Sequence, residues 1–278
     1  MGRAAAHSEF FDRIVAQIES GHAGEAIANL TGMLDYASGA PDQFDSVCSA
    51  YRDHPIGTLL REGSKQHDSA TALSRAIRDS GFDRALHERT DHIRKLLGSA
   101  WQGGKSIAVL GGAVRSELAE LASRDLGNVT IVEADEASAR ALRAALPTSA
   151  QVIHQPVNLF LDMVARAQGH FDLIYFPRLT EQAGGPALVD TLRRAGQCLT
   201  DGGRIVVLAF ASGHVGRGWR HLCLDWPVIE HDEASLTAVA EASGLKPTIY
   251  CDAAGCFLWG VFTQVPDDYE HGGQNHDQ

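Results

Sequence analysis

The spacing of apolar residues changes character near residue 103. Before it, apolar positions recur three and four apart. In SEFFDRIVAQIES they are Phe11, Ile14, Val15 and Ile18, the period of one helical face. HAGEAIANLTGMLDYA continues in that style, Pro55 suits a first helical turn, and ATALSRAIRDSGF and DRALHERTDHIRKLLGSAW predict two further helices. After Gly103-Gly104, short apolar runs alternate with amphipathic stretches. The runs predict strands over 106–110, 128–132, 151–154, 171–176 and 204–210. The intervening stretches predict helices over 116–126, 136–146, 159–167 and 187–199. A long connection, 211–232, leads to a helix over 233–243 stopped by Gly244. Strands at 248–251 and 257–262 then flank the turn Asp252-Ala253-Ala254-Gly255, the pattern of an antiparallel hairpin.

Strands that alternate with helices and are apolar throughout imply an α/β fold. Its parallel sheet would be covered on both faces, with ligands expected at the carboxyl ends of the strands. The organisation expected is a helical cap region over 1–100, a Rossmann-like domain over 101–264 and a disordered polar tail over 265–278. No internal repeat is visible.

Composition narrows the function classes. The 278 residues are 44% hydrophobic and 21% charged, a globular balance, with 24 basic and 35 acidic side chains for a net charge of −11. No stretch is basic, so nucleic acid and anionic membrane are not expected partners. No apolar run reaches the ~20 residues of a membrane span, and MGRAAAHSEF has no apolar h-region of a secretory signal. The five cysteines, Cys48, Cys198, Cys223, Cys251 and Cys256, form no CxxC pair. The expectation is a cytoplasmic protein with reduced thiols and no structural zinc. Cys251 and Cys256 flank the hairpin turn and are read as idle thiols or a regulatory disulfide.

The segment richest in chemistry is Val109-Leu110-Gly111-Gly112-Ala113-Val114-Arg115-Ser116-Glu117, between the first strand and the first helix of the sheet. Glycines there let backbone approach a ligand at a helix start. The second strand ends in Val132-Glu133-Ala134-Asp135. A carboxylate at that tip, ~20 residues after the glycines, is where an adenosine ribose is held. The alternatives are an ordinary tight turn and a solvated strand end. A nicotinamide dinucleotide wants G-x-G-x-x-G, and the two later glycine positions are Ala113 and Ser116. S-adenosyl-L-methionine carries no phosphate and tolerates a looser loop. Gly103-Gly104-Lys105-Ser106 precedes a strand rather than a helix and lacks the earlier glycine, so it is not a phosphate loop. There is no H-E-x-x-H and no G-x-S-x-G.

Residues from about 54 to 263 resemble class I S-adenosyl-L-methionine-dependent methyltransferases. In particular they resemble bacterial proteins of the extracellular factor (3-hydroxypalmitic acid methyl ester) biosynthesis family. The carrying segments are His54-Pro55-Ile56, SELAEL (116–121), VEADEASARAL (132–142), FDLIYFPRL (171–179), LTDGGRIVVLAF (199–210) and LCLDWPVIEHDEASLTAVAEASGL (222–245). The resemblance implies a seven-stranded sheet with the last strand antiparallel. It also implies S-adenosyl-L-methionine as cofactor, with Gly111, Gly112, Ala113 and Arg115 along the methionyl part and Glu133 and Ala134 at the ribose. Gln155 would lie by the adenine and Phe176 by the sulfonium. Two stretches depart from the family pattern. Ala113-Val114-Arg115 stands where relatives carry Gly-x-Gly, and GSKQHDSATALSRA (63–76) stands where they carry a PRGYAGD-like motif. The departures keep open a repurposed or inactive methyltransferase fold acting by binding, or a different reaction of the same cofactor.

Methyl transfer from a sulfonium is an in-line displacement in which the protein mainly aligns donor and acceptor. A hydroxyl acceptor needs a base; a carboxylate needs only an orienting cation. The expected acceptor is a small molecule methylated on a carboxylate or hydroxyl oxygen. His214, Arg217, Trp219, Arg220, Asp225 and Trp226 in the long connection, with Arg178 beyond the fourth strand, are the substrate candidates. Arginine can grip a carboxylate through two parallel hydrogen bonds. Their competing reading is solvated loop charges, packing tryptophans and, for Asp225, a structural cap. Tyr175 is read as a core residue rather than a base. A second copy of the chain is a candidate partner.

Overall fold

The structure is a computed structural model. It describes residues 16–17, 20–21, 81–112, 115–118, 126–214, 216–217, 220 and 228–265. The elements are α1 (Gly81–Gln102), β1 (Ile107–Leu110), α2 (Arg115–Leu118), β2 (Val129–Glu133), α3 (Glu136–Ala145), β3 (Gln151–His154), α4 (Val157–Arg166) and β4 (Phe171–Phe176). They continue with α5 (Leu179–Gln182), α6 (Gly185–Gly196), β5 (Leu199–Ala211), β6 (Glu230–His231), α7 (Glu233–Ala242), β7 (Leu245–Cys251) and β8 (Phe257–Gln264).

The strands form one sheet in the order β3-β2-β1-β4-β5-β8-β7, with the two-residue β6 paired to β5. The pairs from β3 through β5, and β5 with β6, are parallel; β8 runs antiparallel to both its neighbours. The implied seven strands with a reversed last strand are therefore present, and β6 makes an eighth inside the stretch expected to be connection.

Successive side chains of a strand point to opposite faces, and both faces here are covered. Ile107, Val109, Tyr175, Val206, Leu208 and Trp259 pack with Ala85, Leu86, Ile93 and Leu97 of α1. Ala108, Leu110, Ile174, Phe176, Val207 and Phe262 pack with Phe160 and Leu161 of α4 and Leu188 and Leu192 of α6. That two-sided burial is why RIVVLAF is apolar without alternation. Helix α1, from the end of the expected cap region, thus shares one core with the sheet. The other helices expected before it, and the tail beyond 265, lie outside the described residues.

Local chemistry sets the helix starts. Asp135 caps α3 by accepting from the Ser138 N–H at 2.7 Å. Asp232 and Ser235 form a reciprocal capping box on α7. Asp252 accepts from Cys256 and Phe257 N–H groups at 2.7 and 3.0 Å, which closes the expected hairpin. Cys251 and Cys256 are not joined in a disulfide; the first is exposed and the second buried.

Strand β5 begins at Leu199, five residues before the expected start. Gly202-Gly203 carry the chain through a register shift in the β4–β5 ladder. A Cβ on Gly203 would lie 2.8 Å from the Thr200 carbonyl oxygen and 2.9 Å from that of Phe171, so only glycine fits this irregularity.

Candidate functional site: the carboxyl edge of the sheet

At the carboxyl ends of β1 and β2 the chain leaves the sheet through two turns tied together by one side chain. The Gly111 N–H donates to the Val132 carbonyl at 2.8 Å. Gly111 and Gly112 then adopt φ of +74° and +68°, the left-handed region that disfavours side chains. The space is close as well. A Cβ on Gly111 would stand 3.4 Å from Val157 Cγ2, and one on Gly112 would stand 2.8 Å from Arg178 Cδ. Glu133, 8% exposed at the last position of β2, accepts from Gly112 N–H on Oε2 at 3.0 Å and from Asp135 N–H on Oε1 at 3.1 Å. A carboxylate has about four acceptor sites, so each oxygen keeps acceptor capacity beyond these two bonds.

The next turn continues the edge. The Gln155 N–H donates to the Glu133 carbonyl at 3.1 Å. His154 Nε2 donates to the Ala134 carbonyl at 3.1 Å, which leaves its Nδ1 as the acceptor in the neutral ring. Gln155 Nε2 is buried and has no hydrogen-bond partner. Phe176, the last residue of β4, is 1% exposed and belongs to the core, so it offers the edge its backbone and not its ring. The structure therefore brings Gly111, Gly112, Glu133, Ala134, Gln155 and Phe176 to the tips of four neighbouring strands. Ala113 lies outside the described residues. Arg115 begins α2, and its side chain is not described.

Beside the glycine turn sits a buried polar knot that the sequence reading did not anticipate. Arg89 of α1 donates through Nη2 to Glu117 Oε1 of α2 at 3.2 Å and reaches the Pro177 carbonyl at 3.5 Å. Its guanidinium lies 5.5 Å from the Phe257 ring centroid. The Tyr175 hydroxyl donates to Glu117 Oε2 at 3.3 Å. Burial pushes the Glu117 carboxyl up, while Arg89 and Tyr175 oppose that shift. Burial also pushes the Tyr175 phenol well above its usual value, reinforced by the Glu117 charge. Tyr175 is a core residue, as read, and is not poised to take a proton.

On the far side, at the ends of β5 and β6, the loop charges are neither solvated nor free to grip a ligand together. Arg220 is fully buried and pairs with Glu230 of β6. Arg217 Nε donates to the same Glu230 oxygen at 3.0 Å, and His214 Nε2 lies 3.9 Å from it. The Arg220 guanidinium also sits 4.9 Å from the Phe210 ring centroid. His231 Nε2 donates to the Thr180 carbonyl at 3.2 Å, and burial lowers its ring below the usual histidine value. Trp219, Asp225 and Trp226 lie outside the described residues.

Arg178 stands between the two regions. Its stem covers Gly112, and its Nε donates to the buried Glu181 at 3.1 Å. Glu117 and Glu230 were invisible as partners in the sequence because each meets its arginine across a fold. Only the i,i+3 spacing of Arg178 and Glu181 carried a local signal. Among the described residues no cluster of three or more His, Cys, Asp or Glu could hold a metal ion. No described helix is long and apolar enough to cross a membrane.

No family model and no curated protein matches the chain. Solved structures do. A possible exported protein of Bordetella parapertussis is 16% identical, with a TM-score of 0.53 over 77% of this chain and 80% of that one. The CcbJ methyltransferase of Streptomyces caelestis is 17% identical, with a TM-score of 0.46 over 64% and 90%. The N-methyltransferase NodS of Bradyrhizobium japonicum is 16% identical, with a TM-score of 0.43 over 68% and 99%. At such identities a likeness concerns the fold and not the reaction. The strand order and the single reversed strand give this chain the Rossmann-like methyltransferase fold.

Proposed function

We propose that this protein is an S-adenosyl-L-methionine-dependent methyltransferase that acts on a carboxylate or hydroxyl oxygen of a small molecule. The observation that carries the reading is Glu133 at the tip of β2, 3.0 Å from Gly112 N–H, with acceptor capacity left on both oxygens. The residues fit an adenosyl group. Gly111 and Gly112 keep the first turn free of side chains, Glu133 can accept from two ribose hydroxyls, and Gln155 supplies a buried amide N–H without a partner.

The cofactor would supply an already activated methyl group. The chain's own work is to hold and align. Glu133 and Gln155 would fix the nucleoside, and the glycine turn would set the depth at which it lies. Tyr175 takes no part in proton transfer, because its phenol is buried and bound to Glu117. A second reading is a repurposed fold that binds without methylating. It is favoured by the two backbone N–H groups already on Glu133 and by the Arg178 stem across Gly112.

Calorimetric titration of the full chain with S-adenosyl-L-methionine and S-adenosylhomocysteine tests the first reading. Both should bind, and Glu133→Ala should abolish both. No heat at millimolar ligand would remove the methyltransferase reading and leave the second.

A further inference from the structure

We infer that Arg178 is an anchor for a ligand carboxylate at the glycine turn, an inference that rests in part on the cofactor assignment above. Among the described arginines at this edge, three point inward to internal partners. Arg89, Arg217 and Arg220 are drawn to Glu117 and Glu230, and their side chains are 5%, 26% and 0% exposed. The Arg178 side chain is 39% exposed and spends only Nε on a partner, Glu181. Its Nη1 and Nη2 make no hydrogen bond among the described residues.

The geometry of the side chain is fixed from both ends. Its Cβ, Cγ and Cδ rest against Gly112, with a Cβ placed there falling within 3.2 Å of all three. Glu181, with a side chain 3% exposed, holds Nε at 3.1 Å. A guanidinium anchored by Nε presents its two terminal nitrogens as a planar fork, which matches the two oxygens of a carboxylate. Three buried or nearly buried carboxylates, Glu117, Glu181 and Glu230, already serve four guanidiniums in this edge network. The fork of Arg178 is the part left for an outside anion.

Two carboxylates could reach it: the one on the amino-acid half of the cofactor, which lies along the glycine turn in the assignment above, or one on the methyl acceptor. Both use the same chemistry at the same fork. Wild type, Arg178→Met and Arg178→Lys are titrated with S-adenosylhomocysteine and with 5′-methylthioadenosine, which keeps the nucleoside and lacks the carboxylate. Octanoate is then titrated into each protein, with and without saturating S-adenosylhomocysteine. Methionine preserves the stem against Gly112, and thermal melts report whether each variant folds.

The expected result is a loss of about 10- to 100-fold in S-adenosylhomocysteine affinity for Arg178→Met, partial recovery in Arg178→Lys, and unchanged 5′-methylthioadenosine binding. Unchanged nucleosides with lost octanoate binding would place the acceptor's carboxylate at the fork and also support the anchor. Equal binding of all three ligands to wild type and Arg178→Met would overturn it. So would equal losses for both nucleosides, because the side chain would then only shape the turn. If wild type binds neither nucleoside, the methyltransferase reading fails, and the octanoate arm alone decides the role of Arg178: loss in Arg178→Met keeps it, and no difference ends it.

Discussion

At the tips of β1 and β2 a carboxylate, Glu133, is held by backbone N–H groups. At the tips of β5 and β6 another, Glu230, is held by two arginines and approached by a histidine. The two differ in what they leave over. Backbone N–H groups carry only partial charge, so Glu133 keeps both its negative charge and spare lone pairs for a polar ligand. Guanidiniums offset the charge of Glu230 and occupy one of its oxygens. In the proposed function the same residue type therefore marks a binding position at one end of the sheet and holds an ion-pair network at the other. The partner, not the carboxylate, decides which.

Removing each carboxylate should separate these roles. Glu230→Ala removes the carboxylate that pairs with buried Arg220, a loss of about 3–5 kcal/mol. Urea unfolding of this variant should show that loss, while nucleoside binding per folded molecule stays near wild type. Glu133→Ala removes two backbone hydrogen bonds to a largely buried carboxylate and should cost about 2 kcal/mol. It should nonetheless abolish nucleoside binding. Weakened nucleoside binding in folded Glu230→Ala, or wild-type binding in Glu133→Ala, would erase the distinction between the two ends.

The two ends were also unequally legible in the sequence. The Gly111–Glu133 relation is a spacing within one βαβ unit, and local order brings its members together. Arg217 and Arg220 read as loop charges because the partner that buries them sits on a strand of two residues, too short for any periodicity. The pairing of Glu230 with them depends on β6 docking against Phe210 and Ala211, a long-range event. The Arg89–Glu117–Tyr175 knot was hidden for the same reason, since its members come from α1, α2 and β4. The early start of β5 was missed because 199–203 shows no strand-like apolar run, and its place in the sheet depends on an irregular register with β4.

The knot offers a smaller contrast with the Glu230 network. Tyr175→Phe removes one hydrogen bond to Glu117 but leaves Arg89 in place, so the carboxylate keeps its counter-charge. The expected loss is about 1–2 kcal/mol by urea unfolding, well below that of Glu230→Ala. Methyl transfer, measured once an acceptor is known, should persist in Tyr175→Phe, because the phenol takes no proton. A loss of turnover without a loss of stability would return Tyr175 to the list of bases.

The smallest effect expected is a pH dependence seated beside the Glu230 network, at His231. Its ring is neutral in the fold, with a value lowered by burial despite the hydrogen bond to the Thr180 carbonyl and the nearby Asp232. The unfolded chain protonates this ring near 6.5. Below that pH the unfolded state binds a proton that the native state does not, so stability falls with acidification until the native ring also titrates. The slope stays under about 1.4 kcal/mol per pH unit for one proton. His92, also lowered by burial, adds in the same direction, whereas Glu117, raised by burial, acts in the opposite sense. Both remain in His231→Gln, whose amide can still donate to Thr180, so the difference between wild type and this variant isolates the ring. Urea midpoints from pH 7.5 down to 5 should show wild type losing ground against His231→Gln below about 6.5. Parallel curves would mean that the ring is solvated in the native state.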